Sequence, residues 1–165
     1  MINFYTDGST RGNPGEGGYG VVWLDDKDIY YAYSKQVPYT TNNRMELSAI
    51  IHVFKEFGHK DMDITIYTDS AYCCNIINDW IWRWAVNDWC NSKGREVENL
   101  DLVKELYEYL KQYNNMRVIH VKGHKGLIGN ELADALATDN IVKYKTLIKK
   151  NALKENYNFV STREA

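Results

Sequence analysis

Apolar and polar positions alternate in short blocks along the N-terminal part of the chain. Apolar runs over residues 2–5, 19–24 and 29–37 are separated by segments rich in glycine, proline and aspartate. This pattern predicts three consecutive antiparallel strands. The first run stops at Thr6-Asp7-Gly8-Ser9, which we interpret as the end of a strand.

Helical spacing replaces the alternation after residue 41. Apolar residues at 47, 50, 51, 54 and 57 predict a helix that is capped by Asn42 and Asn43 and ended by Gly58. A strand is predicted over 64–67, a short helix over 71–77, a tryptophan-rich helix over about 80–89, a helix over 100–110, a strand over 117–121 and a last amphipathic helix around 132–137. Residues 122–129 form a predicted loop, and the tail from Asn140 carries no firm prediction.

The order β-β-β-α-β-α-α-α-β-α predicts an α/β fold. Strands that are separated by helices are usually added in parallel, so we expect a mixed five-stranded sheet with helices on both faces. Sites in such sheets form beyond the carboxyl ends of strands. Asp7 and Asp69 occupy that kind of position.

Composition narrows the class of protein only slightly. The 165 residues predict one domain, and a net charge of −2 neither indicates nor excludes binding to nucleic acid. Three cysteines without metal-ligand spacing indicate reduced thiols. With no long apolar run for a membrane span, we expect a cytoplasmic protein without a membrane partner.

Four acids stand in unusual contexts: Asp7, Glu46, Asp69 and Asp134. Each has an ordinary alternative. Asp7 could form a turn, Asp69 could cap the following helix, Glu46 could close a capping box with Asn43, and Asp134 could lie on the surface.

Taken together, the four acids favour one shared site. Acids are costly to bury alone, and several acids directed at one point repel one another unless a cation joins them. Mg²⁺ prefers oxygen ligands and bridges to substrate phosphate, and two such ions stabilise an in-line displacement. The sequence therefore predicts a divalent-metal site that acts on phosphate. His124 is either an ordinary loop histidine or a proton shuttle beside that site.

The ordered set of motifs resembles the type 1 ribonuclease H family, and in particular its bacterial-type stand-alone members. The matching segments are Thr6-Asp7-Gly8-Ser9, Gly12-Asn13-Pro14-Gly15, Gly17-Gly18-Tyr19-Gly20, Thr41-Asn42-Asn43-Arg44-Met45-Glu46-Leu47, Thr68-Asp69-Ser70, Val121-Lys122-Gly123-His124 and Asn130-Glu131 with Ala133-Asp134. They follow the family's order over residues 1–140, which we expect to form the catalytic domain.

The resemblance implies a ribonuclease H-like fold and an endoribonuclease that hydrolyses the RNA strand of RNA–DNA hybrids, leaving 5′-phosphate and 3′-hydroxyl ends. Two Mg²⁺ ions, or Mn²⁺ in their place, would be held by the four acids. Asp7 would bridge both ions, Asp134 would serve the water-activating ion, and Glu46 and Asp69 the leaving-group ion. His124 would assist proton transfer or product release, and the enzyme is expected to be a monomer.

The resemblance also implies a set of substrate contacts. Asn13, Asn42 and Asn43 match positions that contact the hybrid in its minor groove, where carboxamides can pair with 2′-hydroxyl groups. Thr41 and Asn99 match a pair that holds a phosphate of the DNA strand.

The chain departs from many bacterial relatives in two segments. The stretch after the tryptophan helix, residues 83–98, carries three cations and three acids instead of a basic protrusion. We expect Trp80 and Trp84 to pack this stretch onto its own helix, with stacking on bases as the alternative. Five lysines lie within residues 140–154, which contain no acid, so the tail 141–165 is either a solvated basic surface or a contact to the hybrid.

Two rival functions remain open. A resolvase or transposase with the same fold would act on DNA, and the three asparagines argue against it. A hybrid-binding module without catalysis would gain nothing from acids clustered near phosphates.

Overall fold

The computed structural model describes residues 1–122 and 127–157, together with the backbone of residues 160–163. The predicted proton shuttle His124 lies outside the described residues. None of the helices in the described ranges has the length and apolar character needed to cross a membrane.

Strands and helices follow the predicted order and then continue into the tail. The strands are β1 (Ile2–Arg11), β2 (Gly15–Asp25), β3 (Asp28–Thr40), β4 (Ile64–Thr68), β5 (Met116–His120), β6 (Lys154–Glu155) and β7 (Val160–Arg163). The helices are α1 (Asn42–Phe57), α2 (Ala71–Asn75), a π-helical turn (Ile76–Trp80), α3 (Ile81–Val86), α4 (Leu100–Gln112), α5 (Ile128–Ala137) and α6 (Ile141–Lys150).

All the strands belong to one mixed sheet. Its order is β5-β4-β1-β2-β3-β6, and β7 also pairs with β3. Strand β2 pairs with β1 and with β3 in antiparallel fashion, whereas β4 joins β1 and β5 joins β4 in parallel. The predicted topology of three antiparallel strands with parallel additions is therefore confirmed.

The predicted number of five strands is wrong. The short strands β6 and β7 pair in parallel with β3 and bring the sheet to seven strands within the described residues. Helix α6 turns the chain back toward the free edge of β3, where the backbone N–H of Lys154 donates to the carbonyl of Lys27. Such short strands depend on backbone pairing and show no periodicity in the sequence.

Helices cover both faces of the sheet, as predicted. Phe4, Val21 and Ile66 pack on one face with α1, α2 and α4. Val22 and Ala32 pack on the other face with α5 and α6. The neighbouring residues Val21 and Val22 pack on opposite faces, because successive side chains of a strand point to opposite sides of the sheet.

Strand β1 is longer than predicted. It continues through Asp7 to Arg11, because β2 pairs with it over its whole second half, including Asp7 with Gly20. Polar residues that looked like a turn thus lie on an extended strand.

The helical segment after β4 also differs from the prediction. Residues 71–86 run as one helical segment through the π-helical turn, rather than as two helices. It ends at Val86, before the predicted end near residue 89, because Asp88 and Trp89 adopt left-handed backbone angles.

Candidate active site

The strand register brings Asp7 and Asp69 to one edge of the sheet. The parallel pairing of β1 with β4 ends at Tyr5 and Tyr67, and each aspartate lies two residues beyond that pair. Because both strands run in the same direction, the two carboxylates emerge side by side. Asp69 follows the carboxyl end of β4, as predicted, whereas Asp7 lies inside β1, beyond the part of β1 that pairs with β4.

Glu46 reaches the same edge because α1 lies very close to β1 at Gly8. A Cβ atom on Gly8 would come within 2.3 Å of the Glu46 nitrogen, so a larger residue would push the helix away. The backbone N–H of Gly8 donates a hydrogen bond to Oε1 of Glu46. Glycine therefore allows the approach, and its amide helps to fix the glutamate.

The three acids form a compact cluster. One carboxylate oxygen from each of Asp7, Glu46 and Asp69 lies within 4.8 Å of the others. Asp7 is only 8% exposed and Glu46 only 9% exposed. Oxygen ligands of like charge at this spacing suit a hard divalent cation.

Burial makes this cluster costly when it is ionised. Burial, and after it the nearby carboxylates of Glu46, Asp69 and Asp134, together raise the pKa of Asp7 to about 10. Burial and then the charge of Asp69 raise the pKa of Glu46 to about 8, against the lowering effect of the Gly8 hydrogen bond. Both carboxyl groups thus bind protons more tightly than exposed acids do.

The ordinary alternatives for these three acids do not hold. Asp7 lies on a strand rather than in a turn. Ser70, not Asp69, caps α2 by accepting a hydrogen bond from the Cys73 nitrogen. Glu46 bonds to Gly8, so it is directed away from a capping box.

Asp134 approaches the cluster from α5, on the other side of β1. Helix α5 lies close over β2, since a Cβ atom on Gly20 would stand 2.4 Å from the Ala133 carbonyl oxygen. The Asp134 carboxyl is a hydrogen-bonding neighbour of Asp7 but is not one of the three acids within 4.8 Å of one another. Its side chain is 44% exposed and pairs with Lys143, with 2.8 Å between Oδ2 and Nζ. The four predicted acids therefore converge, with Asp134 at the open side.

The three asparagines are exposed, and Asn13 and Asn42 are hydrogen-bonded to each other. Oδ1 of Asn13 accepts from the backbone nitrogen of Asn42 at 3.1 Å, and Oδ1 of Asn42 accepts from the Thr10 hydroxyl at 2.9 Å. Asn43 is exposed beside them at the start of α1.

The capping role predicted for Asn42 and Asn43 is wrong. Thr41 caps α1, with its hydroxyl oxygen accepting from the Arg44 nitrogen at 3.3 Å. Both asparagines fall inside the first turn, where the Asn42 side chain bonds to Thr10 instead of capping the helix.

Thr41 and Asn99 come together around Arg44. The Arg44 guanidinium contacts Oδ1 of Asn99 at 3.4 Å and forms two hydrogen bonds to Asp101, at 2.9 Å and 2.7 Å. Asn99 itself has a left-handed backbone and donates to the Tyr72 hydroxyl at 3.0 Å. This corner presents hydroxyl, amide and guanidinium groups, which are suited to a phosphate.

Two residues of this region had no role predicted from the sequence. Arg44 lies in the segment Thr41–Leu47 that resembles the family, and its position between Thr41 and Glu46 was the available signal. Lys143 stood among five tail lysines, and nothing in the sequence distinguished it from the others.

The tryptophan-rich segment packs on its own helix and on α4. The rings of Trp80 and Trp84 lie 5.9 Å apart, and Trp89 meets Tyr107 edge-on at 5.2 Å. Trp80 and Trp84 also line an open cavity of about 560 Å³ with Arg83. The packing agrees with the structural interpretation of these tryptophans.

Comparison with known sequences agrees with the geometry. The sequence model of the RNase H family matches residues 1–142. A ribonuclease H of Francisella tularensis subsp. novicida is 45% identical over 142 residues, which cover 84% of this chain and 90% of that protein.

Two solved structures share the fold. The RNase H domain of PFV, solved in solution, has a TM-score of 0.74 at 26% identity and covers 84% of this chain and 93% of its own. A crystal structure of LC11-RNase H1 in complex with RNA/DNA hybrid has a TM-score of 0.61 at 26% identity and covers 87% of this chain and 98% of its own.

Proposed function

Since the chain belongs to the ribonuclease H family, we propose that it is a metal-dependent endoribonuclease that hydrolyses the RNA strand of RNA–DNA hybrids. The products carry 5′-phosphate and 3′-hydroxyl ends. The observation that supports this function most directly is the convergence of Asp7, Glu46 and Asp69 on one buried point, with Asp134 beside them.

The donor set fits divalent metal. All donors are carboxylate oxygens, and two of the three clustered acids are almost fully buried, so their negative charge needs a cation. We assign the four acids as the ligands of two Mg²⁺ ions, with Mn²⁺ as a possible substitute. Bound ions supply electrostatic stabilisation to the attacking and leaving oxygens of an in-line displacement at phosphorus.

The chain's own residues hold these carboxylates in place. The Gly8 amide orients Glu46, and the strand pairing of β1 with β4 keeps Asp7 beside Asp69. Because folding has already placed the carboxylates, the entropy cost of bringing them together does not add to the barrier of the reaction. The role assigned to His124 by family resemblance remains a proposal, because that residue is not described.

Substrate choice is assigned to Asn13, Asn42 and Asn43. All three are exposed, and Asn42 and Asn43 lie in the turn of α1 that precedes Glu46. Carboxamides can both donate to and accept from 2′-hydroxyl groups. Thr41, and not an asparagine, provides the helix cap.

The Thr41–Arg44–Asn99 corner is assigned to a phosphate of the DNA strand. Arg44 links the pair, because its backbone nitrogen donates to Thr41 and its guanidinium donates to Asn99, and it adds a positive charge. Residues 1–140 form the catalytic domain in this proposal, and α6 extends the same packed unit.

A cleavage assay tests the function. Four labelled substrates of one sequence are compared with Mg²⁺ and with EDTA: an RNA–DNA hybrid, duplex DNA, duplex RNA, and DNA with a short ribonucleotide run. We expect cleavage of the hybrid, and of the mixed strand only within or beside the run, in Mg²⁺ alone. Equal cleavage of duplex DNA would favour the resolvase-like rival, and binding without cleavage would favour the non-catalytic module.

A paired variant tests the substrate contacts. Replacement of Asn42 and Asn43 by Ala should weaken hybrid cleavage while leaving the helix cap in place. Thr146→Ala, on the exposed part of α6, is the matched control and should cleave as the wild type does.

A further inference from the structure

Lys143 stands beside the acid cluster although it lies outside the segment matched by the family. The family match ends at residue 142, and Lys143 belongs to the following helix, α6. Its Nζ atom lies 2.8 Å from Oδ2 of Asp134. Among the four acids, Asp134 is the one for which the described residues show an ion pair.

The backbone of Lys143 is firmly placed. Oδ1 of Asn140 caps α6 by accepting from the Lys143 nitrogen at 3.0 Å. The next residue, Tyr144, is completely buried against α5 and the sheet, and Ile148 is also buried one turn later. Lys143 is therefore held near Asp134 by the packing of the helix, not by the ion pair alone.

The side chain of Lys143 remains able to leave. It is 41% exposed, and Asp134 is 44% exposed, so the pair borders on solvent. An exposed pair of this kind contributes little to stability, and a lysine stem has many rotamers. Rotation about its stem can take the ammonium group into solvent without any movement of α6.

An ammonium group and a metal ion compete for the carboxylate of Asp134. Both are cations, and they repel each other when they share one carboxylate at contact distance. Asp134 is also more open to solvent than the buried Asp7 and Glu46, so a cation from solvent can reach it.

We propose that Lys143 is an internal cation that competes with divalent metal for Asp134, so that metal binds by displacing the Lys143 ammonium group. The inference rests on the proposed function, because it requires Asp134 to be a metal ligand. Lys143 is a positioning residue in this scheme: it acts through Asp134 and touches no reacting atom.

A permanent ion pair would have the opposite consequence. If Lys143 stayed on Asp134 and oriented it for the metal, removal of Lys143 would weaken metal binding. The sign of the change in metal affinity therefore separates competition from orientation.

The test measures Mg²⁺ binding to the whole chain without substrate, by isothermal titration calorimetry at low ionic strength. For Lys143→Met we expect a dissociation constant for Mg²⁺ about three- to tenfold lower than that of the wild type. This range corresponds to the removal of one nearby, partly exposed positive charge. Lys143→Arg keeps the charge and should bind nearly as the wild type does. Lys145→Met is the control, because Lys145 is exposed on the same helix and pairs with Glu155 instead.

Thermal unfolding gives a second readout. In EDTA the wild type should unfold at a higher temperature than Lys143→Met, because the ion pair is present. At saturating Mg²⁺ this difference should shrink or disappear, because the metal has released Lys143. A merely structural lysine would give the same difference in both conditions.

The outcomes distinguish this inference from the proposed function. If the wild type binds no Mg²⁺ and cleaves no hybrid, both are wrong. If the wild type binds Mg²⁺ but Lys143→Met binds it equally or more weakly, only the competition is wrong. Lys143→Gln provides the same comparison if the methionine variant does not fold.

Discussion

The acid cluster and the Thr41–Arg44–Asn99 corner both include a residue from the start of α1, Glu46 and Arg44 respectively. Their electrostatics are opposite. In the cluster, Asp7 and Glu46 are buried among like charges, and their pKa values rise to about 10 and about 8. In the corner, the Arg44 guanidinium lowers the pKa of Asp101, and Asp101 raises the pKa of Arg44. One region is unfavourable until a cation arrives, whereas the other is satisfied within the protein.

This difference separates a binding site from a positioning device. Buried acids without a counter-charge reduce stability, so their presence points to a ligand that is not part of the chain. In the corner, the half-exposed Arg44–Asp101 ion pair positions the guanidinium that we assign to a substrate phosphate. Four predictions test this contrast, in decreasing order of expected effect.

The largest effect is expected from Asp7→Asn in the acid cluster. The amide keeps the shape of the side chain but removes the central carboxylate, so hybrid cleavage in Mg²⁺ should fall by several orders of magnitude. In EDTA the free energy of unfolding should not decrease, because one source of repulsion is gone.

The matched control for Asp7→Asn is Asp61→Asn, an exposed aspartate outside the site. It should leave both cleavage and stability unchanged. Cleavage by Asp7→Asn close to the wild-type rate would contradict the assignment of Asp7 as a metal ligand.

The pH dependence of stability should expose the same repulsion. Because the pKa values of Asp7 and Glu46 are raised on folding from about 4, the folded protein binds more protons than the unfolded chain above that pH. In EDTA, the free energy of unfolding should therefore fall as the pH rises from about 4 through 8 towards 10.

Urea unfolding at pH 5, 7 and 9 measures this slope. Asp7→Asn should flatten it, and saturating Mg²⁺ should reduce it in the wild type, since metal replaces the bound protons. Identical slopes for the wild type and Asp7→Asn would show that the cluster does not carry the effect.

Asp101→Asn should affect the corner far less. It removes the paired hydrogen bonds to Arg44, an exposed ion pair whose loss costs at most about 1 kcal/mol. KM for the hybrid should rise several-fold, because Arg44 is no longer fixed beside Asn99, whereas kcat should stay nearly constant.

Glu108→Gln is the control for Asp101→Asn, because it breaks the exposed pair with Lys111 on the same helix. It should cost a similar amount of stability with no change in KM. A fall in kcat for Asp101→Asn as large as that for Asp7→Asn would remove the distinction between the two regions.

The smallest effect is expected from the end of α6. Lys149 and Lys150 are exposed there, whereas Lys143 and Lys145 are already paired with acids. Replacing both exposed lysines with Gln should flatten the slope of log affinity for the hybrid against log salt by roughly 0.7 to 0.9, the effect of one phosphate contact. An unchanged slope would assign these lysines to a solvated surface.

The order of the first five strands and the choice of four acids that the fold brings together both rest on local signals in the sequence. Apolar periodicity located β2, β3, α1 and α4, and the acids stood next to turn-like residues or on an apolar helix face. The same local signals gave a wrong prediction where pairing with a neighbouring strand decided the backbone conformation. Thr6 to Ser9 looked like a turn, yet β2 draws these residues into a strand, because backbone hydrogen bonding to a partner outweighs their weak strand propensity.

Local sequence context singled out Asp7, Glu46, Asp69 and Asp134, and the family resemblance added the asparagines. Their arrangement became visible in the fold: Gly8 allows the close approach of α1, Thr41 and not Asn42 caps that helix, and Lys143 pairs with Asp134. Periodicity reports the burial of a residue along its own element, whereas a contact between distant elements depends on the packing of the whole chain. The five tail lysines show this limit most clearly, because they are alike in sequence and differ only in which acid the fold brings within reach.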